Sequence, residues 1–370
     1  MRVLLIHNDA RYLGGAEKML GYYLDGLRAT DCQPTVAVVP GSRVSEVIPA
    51  SVPRLWIPEK QQFSTRKLAL QAWRILKGRR DFPFDVVHGW TARDWELASV
   101  VGGLARCPAL GTLHDHPQAR AINPARRVLM RACARYGLRK VVCVSRAVSA
   151  ACLSARYPAG KLAVIHNGLP RFEEQPDRTS RPVCRFGFLG VFSERKGLET
   201  LFLMLDELAR LSPMPWEMSI AGAAQDAGGE RLLAEIRARF SGRPWWPQVV
   251  WSGWVGKPIQ FLRTLDLLIV PSTEFDPFPT VLLEAGSAGL AVLAARVGGV
   301  EEIVSPNQTG WLFESGHWQQ AAEILRGLLA EPGQLRTAGG EAFHRIGREF
   351  AIGKMVDNYL GVYSTLLLNV

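Results

Sequence analysis

The chain of 370 residues is 48% hydrophobic and 21% charged, a globular balance that excludes a disordered protein and a length that calls for two domains of roughly 150–200 residues. No apolar run approaches the ~18 residues of a membrane span, and Val3 to Ile6 reads as a short strand, not a signal peptide. The net charge of +10 is uneven: residues 1–180 hold 27 Lys and Arg against 14 Asp and Glu, while residues 181–370 hold 17 against 20.

Short β-rich runs alternate with helical stretches, the pattern of parallel βαβ units. The first strand is expected at 3–7. Gly14-Gly15-Ala-Glu17 follows it, with a helix at 16–27. Glycine there permits close approach of the backbone to a ligand, and Glu17 reads equally as a ligand contact or a first-turn helix acid. Strands at 35–39, 52–57 and 86–88 come next, then a helix at 95–104. A strand at 109–113 leads into His114 and Asp115, the latter expected to cap the following helix. Strands at 141–144 and 163–166 complete this half. The Pro- and acid-rich stretch 169–182 (LPRFEEQPDRTSRP) is the expected linker, which sets domains at 1–170 and 183–349. Six cysteines, at 32, 107, 133, 143, 152 and 184, show neither CxxC pairing nor metal-ligand spacing and read as reduced thiols.

In the second half, a strand at 185–189 enters Gly190-Val-Phe-Ser-Glu-Arg-Lys-Gly197. The adjacent cations Arg195 and Lys196 suit a diphosphate, since charge-assisted hydrogen bonds contribute roughly 1.5–3 kcal/mol each; a solvated charge pair is the plainer alternative. Strands at 216–221 and 249–251 follow. A strand at 267–270 then enters the most informative stretch, 271–304. Asp276 lies in a Pro/Phe-rich loop and Glu284 on the next helix. Amides near that helix start, around Thr280 and Val281, converge on an anion, and ionised carboxylates accept hydrogen bonds from hydroxyls. Phosphate plus hydroxyls describes a sugar nucleotide. A turn-forming Asp and a helix-dipole Glu are the competing readings. Strands at 291–294 and 310–313 and a helical tail, with Met355, Tyr359 and Tyr363 on one side, end the chain. Trp90, Trp95, Trp251 and Trp254 read mostly as core or rim packing.

These motifs resemble, in order and spacing, those of retaining GT-B glycosyltransferases, above all glycosyltransferase family 4 (glycosyl transferases group 1). Asp276 and Glu284, with seven residues between them, are similar to the family's Glu-x7-Glu signature. Pro271, Ser272, Phe278, Glu284 and Ala285 match, Asp276 stands for the first Glu, one methylene shorter, and Pro279 stands for the usual Gly. Gly190 to Gly197 resembles the G-x-x-x-x-R-K-G loop. Gly14-Gly15 resembles the glycine-rich loop after the first strand, and Thr112-Leu-His114-Asp115 the His-containing loop.

The resemblance implies an α/β GT-B fold, with two facing Rossmann-like domains, an interdomain cleft, and a last helix that crosses back onto the first domain. It implies a retaining, metal-independent hexosyltransferase. A UDP-, GDP- or ADP-linked sugar on the second domain would donate a hexose to a hydroxyl of a glycan or lipid-linked glycan bound by the first. Attack on the face of departure, with the leaving phosphate taking the acceptor's proton, is the scheme of resembling enzymes. Catalytic roles are implied for His114, Asp276, Arg195 and Lys196, and donor contacts for Gly14, Gly15, Arg195, Lys196, Thr280, Val281 and Glu284. No cofactor beyond the donor and no metal is implied; Glu274-Phe-Asp276 imitates a metal-binding DxD but lies inside the longer motif. A sugar-nucleotide epimerase of the same fold is one rival, and should lack the Arg-Lys-Gly loop. A non-catalytic sugar-nucleotide-binding partner of another glycosyltransferase is the other. Acid-free stretches at 60–80 and 116–172 suit an anionic leaflet, where each cation contributes about 1 kcal/mol. The expected location is cytoplasmic, with two readings of the charge: peripheral attachment to the inner membrane face, or a merely soluble basic surface. No nucleic-acid module accompanies the charge.

Overall fold

The computed structural model describes residues 1–9, 14–59, 64–120, 122–170 and 183–368. It divides into two compact units, Met1–Pro170 with Phe350–Val370, and Arg171–Glu349. The expected linker falls, from residue 171 onward, outside the described residues.

The first unit is built on a seven-stranded sheet: β1 (Arg2–His7), β2 (Gln33–Val38), β3 (Arg54–Trp56), β4 (Val86–Gly89), β5 (Ala109–Leu113), β6 (Lys140–Cys143) and β7 (Leu162–Val164). The order is β3-β2-β1-β4-β5-β6-β7, and every neighbouring pair is parallel. Residues of β4 and β5 are buried throughout, as strands covered on both faces must be. β3 is shorter than the expected 52–57. The Val52 amide turns back to the Pro49 carbonyl, and Pro53 has no amide to give a ladder.

Helix Gly15–Leu27 buries Met19, Leu20, Tyr23, Leu24 and Leu27, one apolar stripe at helical spacing. The last helix, Ile352–Leu368, belongs to this unit and buries Met355, Val356, Tyr359, Tyr363 and Leu366. Gly26 lets the two helices touch, because a Cβ there would lie 2.9 Å from Val356 Cγ2. A buried polar chain ties the last helix to the sheet. Tyr23 Oη donates to Tyr363 Oη (3.0 Å). His88 Nδ1 lies 2.8 Å from Tyr363 Oη and its Nε2 2.8 Å from Thr112 Oγ1. Thr112 Oγ1 lies 3.0 Å from Tyr359 Oη.

Asp115 does not cap the helix after β5. That helix starts at Pro124, and Asn123 caps it by accepting the Arg126 amide at 2.8 Å. Between them, turn hydrogen bonds from Ala119 to His116 and from Ile122 to Ala119 delay the start, and proline then fixes it, being suited to a first helical position.

The second unit has a six-stranded parallel sheet: β8 (Cys184–Leu189), β9 (Trp216–Ala221), β10 (Val249–Gly253), β11 (Leu267–Val270), β12 (Ala291–Ala295) and β13 (Gly310–Phe313), in the order β10-β9-β8-β11-β12-β13. Its core centres on Phe202, which stacks on Trp251 at 5.8 Å and packs with Phe240, Trp245 and Trp246. Trp90 and Trp95 are buried core residues of the first unit, and Trp254 is 67% exposed. The strand order of each sheet reverses once, between β1 and β4 and between β8 and β11. Ligands of such sheets bind outside the carboxyl ends of strands at these switch points.

Candidate active site

At the switch point of the second sheet, the loops after β8 and β11 are locked together. The 3-10 turn Glu194–Lys196 ends at Gly197, whose φ is +70°. A Cβ on Gly197 would lie 1.7 Å from the Pro271 carbonyl oxygen, so only glycine lets the loops meet. The Thr273 amide donates to Arg195 O (3.0 Å) and its hydroxyl to Glu194 O (2.8 Å). The side chains then pair, with Lys196 Nζ 2.7 Å from Asp276 Oδ2. Asp276 is 4% exposed, and Ser272 Oγ lies 3.5 Å from the same oxygen.

A third loop, after β12, seats the backbone of Asp276. The Gly299 amide donates to its carbonyl (2.9 Å). Gly298 has φ +55°, and a Cβ there would lie 2.1 Å from that oxygen. Gly298 and Gly299 are site-building residues that motif reading passed over, although a Gly-Gly pair just after a strand is the signal for a close backbone approach. Helix Thr280–Ser287 follows. Its N-cap is Pro279, which has no polar side chain to cover the Thr280 and Val281 amides. Glu284 lies about one turn further on and is half-buried, while Arg195 is exposed. Arg195, Lys196, Asp276, Thr280, Val281 and Glu284 thus share the ends of β8 and β11.

At the switch point of the first sheet, Asp94 joins the ends of β1 and β4. It is fully buried and accepts the Asn8 amide at 2.8 Å and both the Thr91 amide and hydroxyl at 2.8 Å. Gly14 and Gly15 open the helix after β1. His114 follows β5 and packs against Trp90 at 5.4 Å. Burial pushes its pKa down to about 4 against the opposing pull of Glu17, so the ring is neutral at pH 7. Its Nε2 is buried and has no hydrogen-bond partner among the described residues, which leaves it available to a hydroxyl. Among the described residues, no cluster of three or more His, Cys, Asp or Glu suits a metal ion, and all six cysteines are free thiols.

Two parallel sheets flanked by helices, each with its polar residues at a switch point, make up an α/β protein of the GT-B fold. Residues 13–171 match the family model Glycosyltransferase Family 4, and residues 178–345 match Glycosyl transferases group 1. The chain belongs to this family of glycosyltransferases. It is 28% identical to a phosphatidyl-myo-inositol mannosyltransferase of Propionibacterium freudenreichii over 271 residues, 70% of this chain and 65% of that one. It is 30% identical to an N-acetyl-alpha-D-glucosaminyl L-malate synthase of Bacillus anthracis over 120 residues, 32% and 31% of the two chains. These matches span less than two thirds of each relative. The fold is similar to that of Anabaena Alr3699/HepE solved in complex with UDP, with a TM-score of 0.85 at 20% identity, covering 99% of this chain and 100% of that one.

Proposed function

We propose that this protein is a retaining, metal-independent glycosyltransferase that moves a hexose from a nucleotide-diphosphate sugar to a hydroxyl of a glycan or lipid-linked glycan. The observation that carries this reading is the locked pair of loops after β8 and β11, which holds Lys196 at 2.7 Å from Asp276. Lys196, Arg195 and the amides of Thr280 and Val281 form a fixed positive set for the charge that grows on the leaving diphosphate. Glu284 accepts ribose hydroxyls, and Asp276 accepts hydroxyls of the transferred sugar beside the cation. The first unit binds the acceptor, and its Gly14–Gly15 turn and neutral His114 offer backbone and ring nitrogen to substrate hydroxyls or phosphate. Anabaena HepE has also been solved with UDP-glucose, which makes that donor the first to try. Purified protein is expected to hydrolyse UDP-, GDP- or ADP-glucose slowly, and to be stabilised against heat by the matching nucleoside diphosphate. Excess EDTA should leave the rate unchanged, because side-chain cations stand in the place of a divalent ion. No hydrolysis and no thermal shift with any of the three would overturn the reading; loss in EDTA restored by Mg²⁺ would overturn metal independence.

The acceptor's location rests on the first unit's charge. On helix Thr65–Gly78, Arg66, Trp73, Lys77, Leu70, Arg74 and Lys67 share one face, about a third of the circumference at 3.6 residues per turn. Leu70 is 49% and Trp73 52% exposed, while Gln71, Ala72 and Ile75 are buried on the opposite side. Apolar anchors among cations suit an anionic bilayer surface. The second basic segment fits that role less well than the sequence implies. Arg126 pairs with Glu96 and the Ala92 carbonyl, and Arg127 donates to Ala119 O, so both side chains serve the fold. Among the described residues, no helix is long and apolar enough to cross a membrane. The protein is expected to sediment with vesicles containing anionic lipid and not with neutral ones, and to be released by salt. Reversing Lys67, Arg74 and Lys77 to Glu should abolish sedimentation without changing nucleotide affinity; unchanged sedimentation would remove this helix from the interface.

A further inference from the structure

A buried pair of opposite charges sits at the switch point of the first sheet, outside the proposed chemistry. His7, the last residue of β1, places Nε2 3.2 Å from Glu17 Oε1. His7 is fully buried and Glu17 is 5% exposed. The other oxygen, Glu17 Oε2, accepts the Gly14 amide at 2.7 Å. Both carboxylate oxygens therefore face protein: one holds the strand end and the other holds the first glycine of the turn.

We propose that His7 and Glu17 act as a positioning pair, which fixes the Gly14–Gly15 turn in the conformation that the substrate meets. The proposal rests on the reading given above, in which this turn approaches substrate, and it assigns the pair no contact with the reacting atoms.

The surroundings keep the pair charged. Glu17 faces His7 from helix Gly15–Leu27, Asp94 and Arg93 face it from the segment after β4, and His114 lies beside it after β5. Burial alone pushes the His7 imidazole down, but the bond to Glu17 and the charges of Asp94 and Glu17 outweigh both it and Arg93, leaving the pKa above 6.5. For Glu17, burial pushes upward, yet the His7 bond and charge and the backbone amides of Gly14 and Glu17 carry it below its ordinary value. Both groups are thus ionised through slightly acid pH. Above the raised His7 pKa, the imidazole loses its proton and Glu17 becomes a buried carboxylate without a counter-charge, which is costly. The hold on Gly14 then weakens. Sensitivity to alkali, not to mild acid, is the signature of the pair.

The test compares His7→Gln, Glu17→Gln and the double variant with the unaltered protein, using UDP-glucose hydrolysis as the probe from about pH 5.5 to 9, the range in which histidine titrates. The unaltered protein should lose kcat/KM with one ionisation above pH 6.5. Each single variant should be about 10-fold lower at pH 6.5 and lack that limb, and the double variant should be no worse than either single, as for residues that act as a unit. Wild-type rates and pH profiles in the singles, or losses that multiply in the double, would overturn the proposal. Two readouts need no activity. The His7 ring resonance should titrate above pH 6.5 and move down in Glu17→Gln, and the Gly14 amide should exchange about 10-fold faster in that variant. Should no sugar nucleotide be hydrolysed by the unaltered protein, the proposed function fails while these two readouts still decide the pair; a His7 titration at or below 6.5 with unchanged Gly14 exchange refutes it.

Discussion

Lys196→Ala is expected to slow turnover of a sugar nucleotide by about 10²-fold or more, the loss typical when one fixed donor to a developing oxyanion is removed, about 2.7–4 kcal/mol. Two effects combine at this position. The ammonium proposed to face the leaving phosphate is gone, and Asp276, buried and bonded to Lys196 at 2.7 Å, is left without its cation. Stranding one member of a largely buried pair is itself destabilising. Asp276→Asn separates the two effects, because it removes the pair while the Lys196 charge remains. It should spare nucleoside diphosphate binding and impair sugar transfer. Rates of hydrolysis and transfer, with thermal denaturation of each variant, provide the check. Near-normal turnover in Lys196→Ala would remove Lys196 from the chemistry. Equal loss of nucleoside diphosphate affinity in the two variants would mean that the pair, and not the cation, binds the donor.

The second large effect is on stability. Burial depresses His88 to about 3, helped by the charge of His114, and depresses His114 to about 4. A histidine whose pKa is lowered on folding takes up a proton when the chain unfolds below pH 6.5. Its contribution is whole above that pH and shrinks as pH falls toward the folded value. At 1.36 kcal/mol per unit, His88 alone removes about 2 kcal/mol by pH 5. Calorimetry from pH 7 to about pH 4 should therefore record a falling transition for the first unit, with an uptake attributable to His88 and His114 that approaches two protons near pH 5. In His88→Gln the midpoint should be lower at pH 7, since the links to Tyr363 and Thr112 are altered, but the pH dependence should be shallower by about one proton. An unchanged slope would mean that His88 is already protonated in the folded protein.

Much of this architecture is legible in the sequence because parallel strands are buried on both faces. LLIV at 267–270 and AVLAA at 291–295 have no competing reading as exposed structure, and both are wholly buried strands. The loop cations and acids after β8 and β11 were readable for the same reason, since each follows such a run directly. Contacts that depend on sheet order were not. Asn8 and Asp94 are 86 positions apart, and their bond exists only because β1 lies beside β4. The role of Glu17 needed the position of His7, which a lone strand residue does not announce. Side-chain direction was equally hidden. Nothing local in the run of arginines at 126–131 shows that Arg126 turns inward to Glu96 while Val128 faces solvent. The cap at Asn123 was missed because a nearer acid, Asp115, satisfied the same rule eight positions too early.

The first unit is made of two pieces of chain separated by the whole of the second. A ribosome delivers these pieces at different times, with 179 residues between Pro170 and Phe350 translated in the interval. Until Tyr359 and Tyr363 emerge, Thr112 and His88 lack the phenol partners found in the finished protein, and Gly26 on helix Gly15–Leu27 has no Val356 packed against it. At about 5–20 residues per second, that interval lasts on the order of ten seconds or more. The nascent first unit must wait that long, unfinished, while the second unit has everything it needs to fold, so the order of completion runs opposite to the order of synthesis.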